Sequence, residues 1–494
     1  MNFMRFIKYL KFNEKNLIFI LIPVAFIITL IFPLLYLSIF SQPNAEDFSL
    51  SFTSKETNPF YSVLTLYQNG DGRLFTNLLY AVNPLVYNLL WGYKLIPLFV
   101  FALFFIVIGH FLKTLFGRND IKVLLFSVTI VFVVFISRLP SIPHAFYWMA
   151  SSLNYTVSAL LLVFLIDCLI SQTVMNTTDK FSIYSFIISA LLIFIIIFSN
   201  EIYILLMLIF FALLTVISFH HNKSYKYLIL TFLICTGSAA LTPLLPRIIL
   251  DKVLPMTSHP INNDLISAFK LCLVSTFKNI ISWTLFNPVL LVATVFIIVL
   301  KKHIVFSGKL FQILTFKNLY TIGFMVFVFM IITLLPYYIF RENSHVPQRV
   351  FNVQYLFFVL FWFVGVITFI TVKENLFNMP RGITLVIAFV LIISVFSSQN
   401  VIVLYSDLFN GVARRFNKEM NERYDIFSKS KEINMIYKVS VIKPLEDKPA
   451  TIYFPPDILP NRAYALWNDA YERYFGVDEV RFEKDTLRFV KNLQ

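Results

Sequence analysis

LIFILIPVAFIITLIFPLLYLSIF, Leu17 to Phe40, runs directly into SQPNAEDFSLSFTSKETNPFYSVLTLYQNGDGRLFTNLLYAVNP, Ser41 to Pro84. The first stretch is 24 residues without a charge, long enough to cross a hydrocarbon core of about 30 Å as a helix. It exceeds a signal-peptide core and no small-residue cleavage pattern follows it, so it reads as a retained span. The second stretch is a long polar interval where a simple connection would need only a few residues. It carries four of the thirteen acidic residues that precede residue 405. Two of these, Glu46 and Asp47, are adjacent and lie just past the end of the span.

The rest of the chain supports lipid as the solvent. Of 494 residues, 58% are hydrophobic and 14% charged, and the mean hydropathy is +0.76; soluble domains hold about one quarter charged residues. Apolar runs read as about eleven spans: 17–40, 93–113, 121–137, 153–171, two within 181–219 split at Glu201, 227–246, 282–300, 319–340, 351–372 and 383–404. The expected fold is therefore an α-helical polytopic membrane domain over 1–404, with a small C-terminal α/β extracytoplasmic domain over 405–494.

Charge gives the orientation. The net charge is +14, but residues 405–494 are nearly balanced, with 15 Lys/Arg against 14 Asp/Glu. The excess belongs to the membrane part, as short basic cytoplasmic loops require, and nucleic acid is not an expected partner. An amino end inside the cell puts 16 of the 26 basic residues before 405 on the cytoplasmic side. The intervals 41–84, 138–150, 199–201, 247–281 and 341–350 then share the outer side with the tail. Three scattered cysteines suggest neither disulfides nor a metal centre.

Candidate chemistry collects in those outer intervals. Glu46 and Asp47 read either as a solvated loop start or as a proton acceptor or divalent-cation site. Arg73, Arg247, Arg341 and Arg349 read either as interfacial anchors or as phosphate ligands, for which the planar guanidinium fork is suited. Glu201 interrupts a long apolar block, which is costly unless it faces water, a partner or a site. His144 and Trp148 lie in a Pro- and aromatic-rich interval, where a packed imidazole competes with a binding role. No Gly-rich nucleotide loop or hydrolase triad signature is present, so a soluble nucleotide donor is not expected.

Several of these pieces, in order, resemble a bacterial family of polytopic membrane proteins of unknown function related to the GT-C glycosyltransferases, which include serotype-converting glucosyltransferases. They are Glu46-Asp47-Phe48, where the family has Asp-Asp-Phe/Tyr; Gly72-Arg73-Leu74-Phe75; and Trp148-Met-Ala-Ser151-Ser-Leu-Asn154-Tyr155, with Ser151 where Gly is common. Glu201, Pro347-Gln-Arg349 and the tail pieces Trp467-Asn468 and Tyr474-Phe475-Gly476 also fit.

The resemblance implies transfer of a sugar from a polyprenyl-phosphate carrier to an envelope glycan or lipid-linked acceptor, outside a bacterial inner membrane. Asp47 would be the base, with Glu46 as helper or metal ligand. Arg349 and Arg73 would bind phosphate, Glu201 would line the site, and Trp148 and Asn154 belong to the matched element. The competing expectations are a polysaccharide flippase or transporter, which should show paired halves with broken spans and midplane charges, and an O-antigen-type polymerase.

Overall fold

The computed structural model describes residues 14–66, 73–117, 120–172, 183–200, 202–220, 225–240, 265–300, 316–340, 346–372, 381–432, 438–455, 458 and 465–482. Within them the chain is helical almost throughout, as a backbone in lipid must be to satisfy its own hydrogen bonds. Seven helices are long and apolar enough to span a membrane. They are α1 (Ile18–Phe40) and, further along, Leu90–Phe116, Ile121–Arg138, Met149–Ile170, Leu265–Leu285, Leu319–Ile339 and Gln348–Thr371. Length and composition therefore make this a multi-pass helical membrane protein.

The expected 41–84 loop is itself helical. It folds into α2 (Ala45–Glu56), α3 (Pro59–Leu66) and α4 (Leu74–Ala81), then a short 3₁₀ turn, Pro84–Tyr87. That turn passes so close to the next span that a Cβ on Gly92 would lie 2.6 Å from the Pro84 side chain. The spans α5 (Leu90–Phe116), α6 (Ile121–Arg138) and α7 (Met149–Ile170) pack with α1 into a core rich in phenylalanine. Phe101, Phe104, Phe132, Phe135 and Phe146 form one set of edge and stacked contacts there.

Among the described residues the expected eleven spans are matched only in part, and three places differ. Helices α8 (Ile183–Ile197), α9 (Ile202–His220), α10 (Tyr225–Ala240) and α12 (Pro288–Leu300) supply apolar stretches of only 10–17 described residues. The expected loop 247–281 ends in a full span, α11 (Leu265–Leu285), whose Lys and Ser content lowers its hydropathy to 1.4 and hid it in the sequence. The last expected span, 383–404, is broken. After α13 (Phe316–Phe340) and α14 (Gln348–Val372), helices α15 (Arg381–Phe396) and α16 (Gln399–Phe409) meet at 62°. The break falls at Ser397-Ser398, where Ser398 is extended (φ −74°, ψ 140°), and the pair counts as one span at most.

The tail opens after Gly411, which takes a left-handed conformation (φ 69°). An amphipathic helix α17 (Val412–Glu432) leads to β1 (Val439–Ile442), α18 (Ala465–Phe475) and β2 (Glu479–Phe482). The two strands pair in parallel, Val439 opposite Glu479 and Ile442 opposite Phe482. Thr451 and Ile452 lie in a turn that leads into an irregular segment at Tyr453 and Phe454. A two-stranded sheet this small has little core of its own, and α18 packs on α2 instead. The fully buried Phe48 of α2 meets Tyr424, Tyr471, Tyr474 and Phe475 at ring distances of 4.6–6.0 Å.

Candidate functional site

Asn44-Ala-Glu-Asp47 is a local N-terminus signal: an N-cap residue followed three positions later by an acid. The structure forms the full reciprocal box. The Asn44 side chain accepts from the Asp47 amide at 3.1 Å, and Asp47 Oδ2 accepts from the Asn44 amide at 3.2 Å. This starts α2 and turns Asp47 inward, where it is fully buried, while Glu46 stays partly exposed.

A second helix start meets the same carboxylate. Trp148 is extended (ψ 112°), so the first amides of α7 have no intrahelical acceptor. The Ala150 amide donates to Asp47 Oδ1 at 3.1 Å, and the Met149 amide donates to Tyr93 Oη at 3.3 Å. The Tyr93 hydroxyl in turn donates to Asp47 Oδ2 at 2.7 Å. Asp47 therefore caps α2 and α7 together. Helix N-termini and three donors favour its anion, but burial outweighs them and raises its pKa to about 7 from an ordinary 3.8, with nearby Glu46 adding to the rise.

Because the folded state holds the proton more tightly than the unfolded chain, the stability this contributes is greatest below about pH 4 and is lost as pH rises through about 7. Tyr93→Phe removes a donor that holds this pKa down. Any reaction that uses the Asp47 anion should then have its rising pH limb displaced upward by about one unit. A pH–rate profile of the variant checks this, and an unmoved limb would detach Tyr93 from the titration.

From Asp47 a polar track runs inward. Tyr80, on α4, donates to the Ala150 carbonyl at 2.8 Å and accepts from Asn154 Nδ2 at 2.7 Å. Thr76 and Phe75 bond the carbonyls of Ser199 and Phe198, and the Tyr203 hydroxyl bonds the Tyr155 carbonyl. These contacts stitch 73–81, 148–158 and 198–203 together. On them, the buried side-chain atoms Asn77 Oδ1 and Nδ2, Trp148 Nε1, Ser151 Oγ, Asn154 Oδ1, Ser158 Oγ and Asn200 Nδ2 have no hydrogen-bond partner among the described residues. Native interiors leave few such groups, and here several fall on three neighbouring segments. Two π-helical turns, Pro143–Tyr147 and Ser152–Val157, bracket the region, and such turns are frequent at functional sites.

Arg349, in the first turn of α14, places its guanidinium 5.2 Å from the Trp148 ring and 5.0 Å from the Tyr155 ring. Its Nε also has no partner among the described residues. His144 bonds Ser141 Oγ at 2.6 Å and packs on Trp148 and Phe454. Burial, aided by Arg349, lowers its pKa to about 3, so the ring is neutral near pH 7. Phe454 from the tail stacks on Trp148 at 3.8 Å. Beside it a cavity of about 20 Å³, bordered by Asn44, Tyr93, Tyr147 and Trp148, has room for roughly one water.

Asp47, Trp148, Asn154, His144 and Arg349 are thus joined through shared contacts around the start of α7. Arg73 lies at the N-cap position of α4, the helix that carries Tyr80. Arg247, Arg341 and Glu201 lie outside the described residues. The possible cation at Glu46 and Asp47 does not fit: both Asp47 oxygens already face N–H and O–H protons. No group of three His, Cys, Asp or Glu suited to a metal occurs among the described residues. Sequence reading missed Tyr93, Tyr80, Asn77 and Asn200; nothing in the local sequence marks them, since each acts through contacts with distant segments.

The fold and site together define a class, a helical multi-pass membrane protein with a buried carboxylate at the junction of two helix starts. Neither a protein-family model, nor a curated protein, nor a solved structure matches the chain significantly.

Proposed function

We propose that this chain is a GT-C-type membrane glycosyltransferase, moving a sugar from a polyprenyl-phosphate carrier to a cell-envelope glycan or lipid-linked acceptor. The reading places the reaction on the outer face of a bacterial inner membrane, with the amino end cytoplasmic and the tail outside. One observation carries it: a buried carboxylate with its pKa near 7 is linked by hydrogen bonds to a track of buried polar side chains, several of whose atoms have no partner among the described residues. A base poised near neutrality suits deprotonation of an acceptor hydroxyl. The unpartnered amides and hydroxyls suit a ligand rich in hydroxyl groups.

In this mechanism Asp47 takes the acceptor's proton as the acceptor oxygen bonds to the anomeric carbon. The bond from that carbon to the phosphate oxygen breaks, and its electron pair leaves with the polyprenyl phosphate. Arg349 holds the departing phosphate, where charge develops, with Arg73 as a further phosphate ligand. Asn154 and Trp148 line the sugar site, and the neutral His144 supports Trp148. Access requires the tail segment bearing Phe454 to move off Trp148.

The test is transfer of label from a polyprenyl-phosphate sugar in membranes carrying the full chain. Arg349→Gln should lower transfer about tenfold to a hundredfold, chiefly through kcat, since a charge-assisted bond to the phosphate as its charge develops is lost. Absence of transfer from every donor sugar, with the inserted protein verified, would overturn the proposal. A second reading has its own support: all three donors to Asp47 are satisfied and the group is closed from solvent. In a flippase or transporter the same carboxylate would act purely as a brace between α2, α5 and α7.

A further inference from the structure

We infer that the cavity at the break between α15 and α16 is a second, separate binding site, for a phosphate-bearing anionic head group. It does not rest on the transferase reading. The cavity is about 360 Å³, much larger than the one beside Asp47. Its polar lining is Arg138, Asn279, Ser282, Gln348, Gln399 and Asn400, together with Ser137, and no acidic residue lines it among the described residues. Two aromatic side chains, Trp283 and Phe351, form part of its wall.

The lining is rich in donors. Arg138 ends α6 and is exposed; its guanidinium meets only Ser282 Oγ, at 3.5 Å, and makes no ion pair among the described residues. Asn279 Nδ2 is a buried donor with no partner among the described residues. The first turn of α16 supplies Gln399 and Asn400, and Ser398 gives that helix no side-chain cap. Its leading amides therefore lack intrahelical acceptors and carry the positive end of the helix dipole. Gln348 brings the first residue of α14 to the same cavity. The Asn400 side chain is spent on fixing the wall, donating to the carbonyls of Ile136 and Leu139 at 2.8 Å.

A span broken inside an apolar segment leaves main-chain groups that lipid cannot satisfy, so such breaks line polar cavities, where half-helix N-termini meet anionic groups. A guanidinium and an uncapped helix start around one space with no acidic residue among those described select an anion. The cavity also borders lipid: α11, which contributes Asn279, Ser282 and Trp283, exposes Val274, Phe277, Ile281 and Leu285.

The test uses the full-length protein in neutral phosphatidylcholine nanodiscs, titrated with phosphatidic acid or, in a separate arm, with inorganic phosphate, reading thermal stability and bound lipid by native mass spectrometry. Phosphatidic acid should protect the wild type, and Arg138→Gln should weaken that binding about tenfold or more. Ser282→Asp, which keeps Arg138 but adds a like charge to the ligand, should abolish it and serves if Arg138→Gln fails to fold. Asp47→Asn should bind as the wild type does, which separates this site from the transferase centre. Equal protection by inorganic phosphate would support the site with a soluble source. No protection by either anion, or binding indistinguishable between wild type and the folded variants, would overturn it.

Discussion

Asp47→Asn is expected to lower sugar transfer by about 10²–10⁴-fold, the usual contribution of a positioned general base, while leaving the chain folded. Asparagine keeps the size of the side chain and can still accept from either Ala150 or Asn44, but not from both. One of its edges is now NH₂, and it must face a main-chain N–H that the carboxylate formerly accepted. Against that loss, the substitution removes the cost of an anion in a fully buried place, the cause of the raised pKa. Label transfer and thermal melting measured on the same preparation separate chemistry from folding. Full transfer by the folded variant would leave Asp47 as a brace at most, and the transferase proposal would lose its base.

Phe48→Ala is expected to cost about 3–5 kcal/mol, the usual cost of truncating a buried phenylalanine, and to loosen the tail from the membrane part. Phe48 is the adjacent residue to Asp47, yet its ring serves the opposite contact. It fills a socket made by Tyr424 of α17 and by Tyr471, Tyr474 and Phe475 of α18. Tyr474 also reaches the Leu85 carbonyl at 2.7 Å, so the same helix face is anchored twice. Thermal unfolding together with limited proteolysis of the tail reads both effects. A tail as protected as in the wild type would show that α17 and the strand pair hold it without Phe48. Because the tail segment with Phe454 covers Trp148, loosening it should also expose the site.

Parts of this arrangement were legible in the sequence. The adjacent acids Glu46 and Asp47 stood out just past the end of a span, although the interval holding them read as a loop. The element Trp148 to Tyr155 and the Pro347-Gln-Arg349 turn were also singled out, and the structure brings them into contact through the Arg349 guanidinium.

What failed to read correctly has identifiable causes. Residues 41–84 looked like a loop because their polarity is mixed, but α2 and α4 bury polar side chains such as Ser51, Thr76 and Asn77 against other protein segments. Hydropathy registers the residue type and not what covers it. The same blindness hid α11 behind its lysines and serines, and concealed the 62° break behind an apolar run that is continuous except for Ser397-Ser398 and Gln399-Asn400.

The amino-acid sequence by itself determined that this chain is rich in membrane-spanning helices and that an acid pair lies just past the first of them, because these follow from composition and from the lengths of apolar runs. Only the tertiary structure decided that Asp47 is buried beneath two helix starts, since its bonds to Tyr93 and Ala150 join residues 46 and 103 positions apart. Contacts over such separations have no period that a linear reading can detect. Burial by distant segments, rather than any neighbour in sequence, is what raises this carboxylate's pKa to about 7.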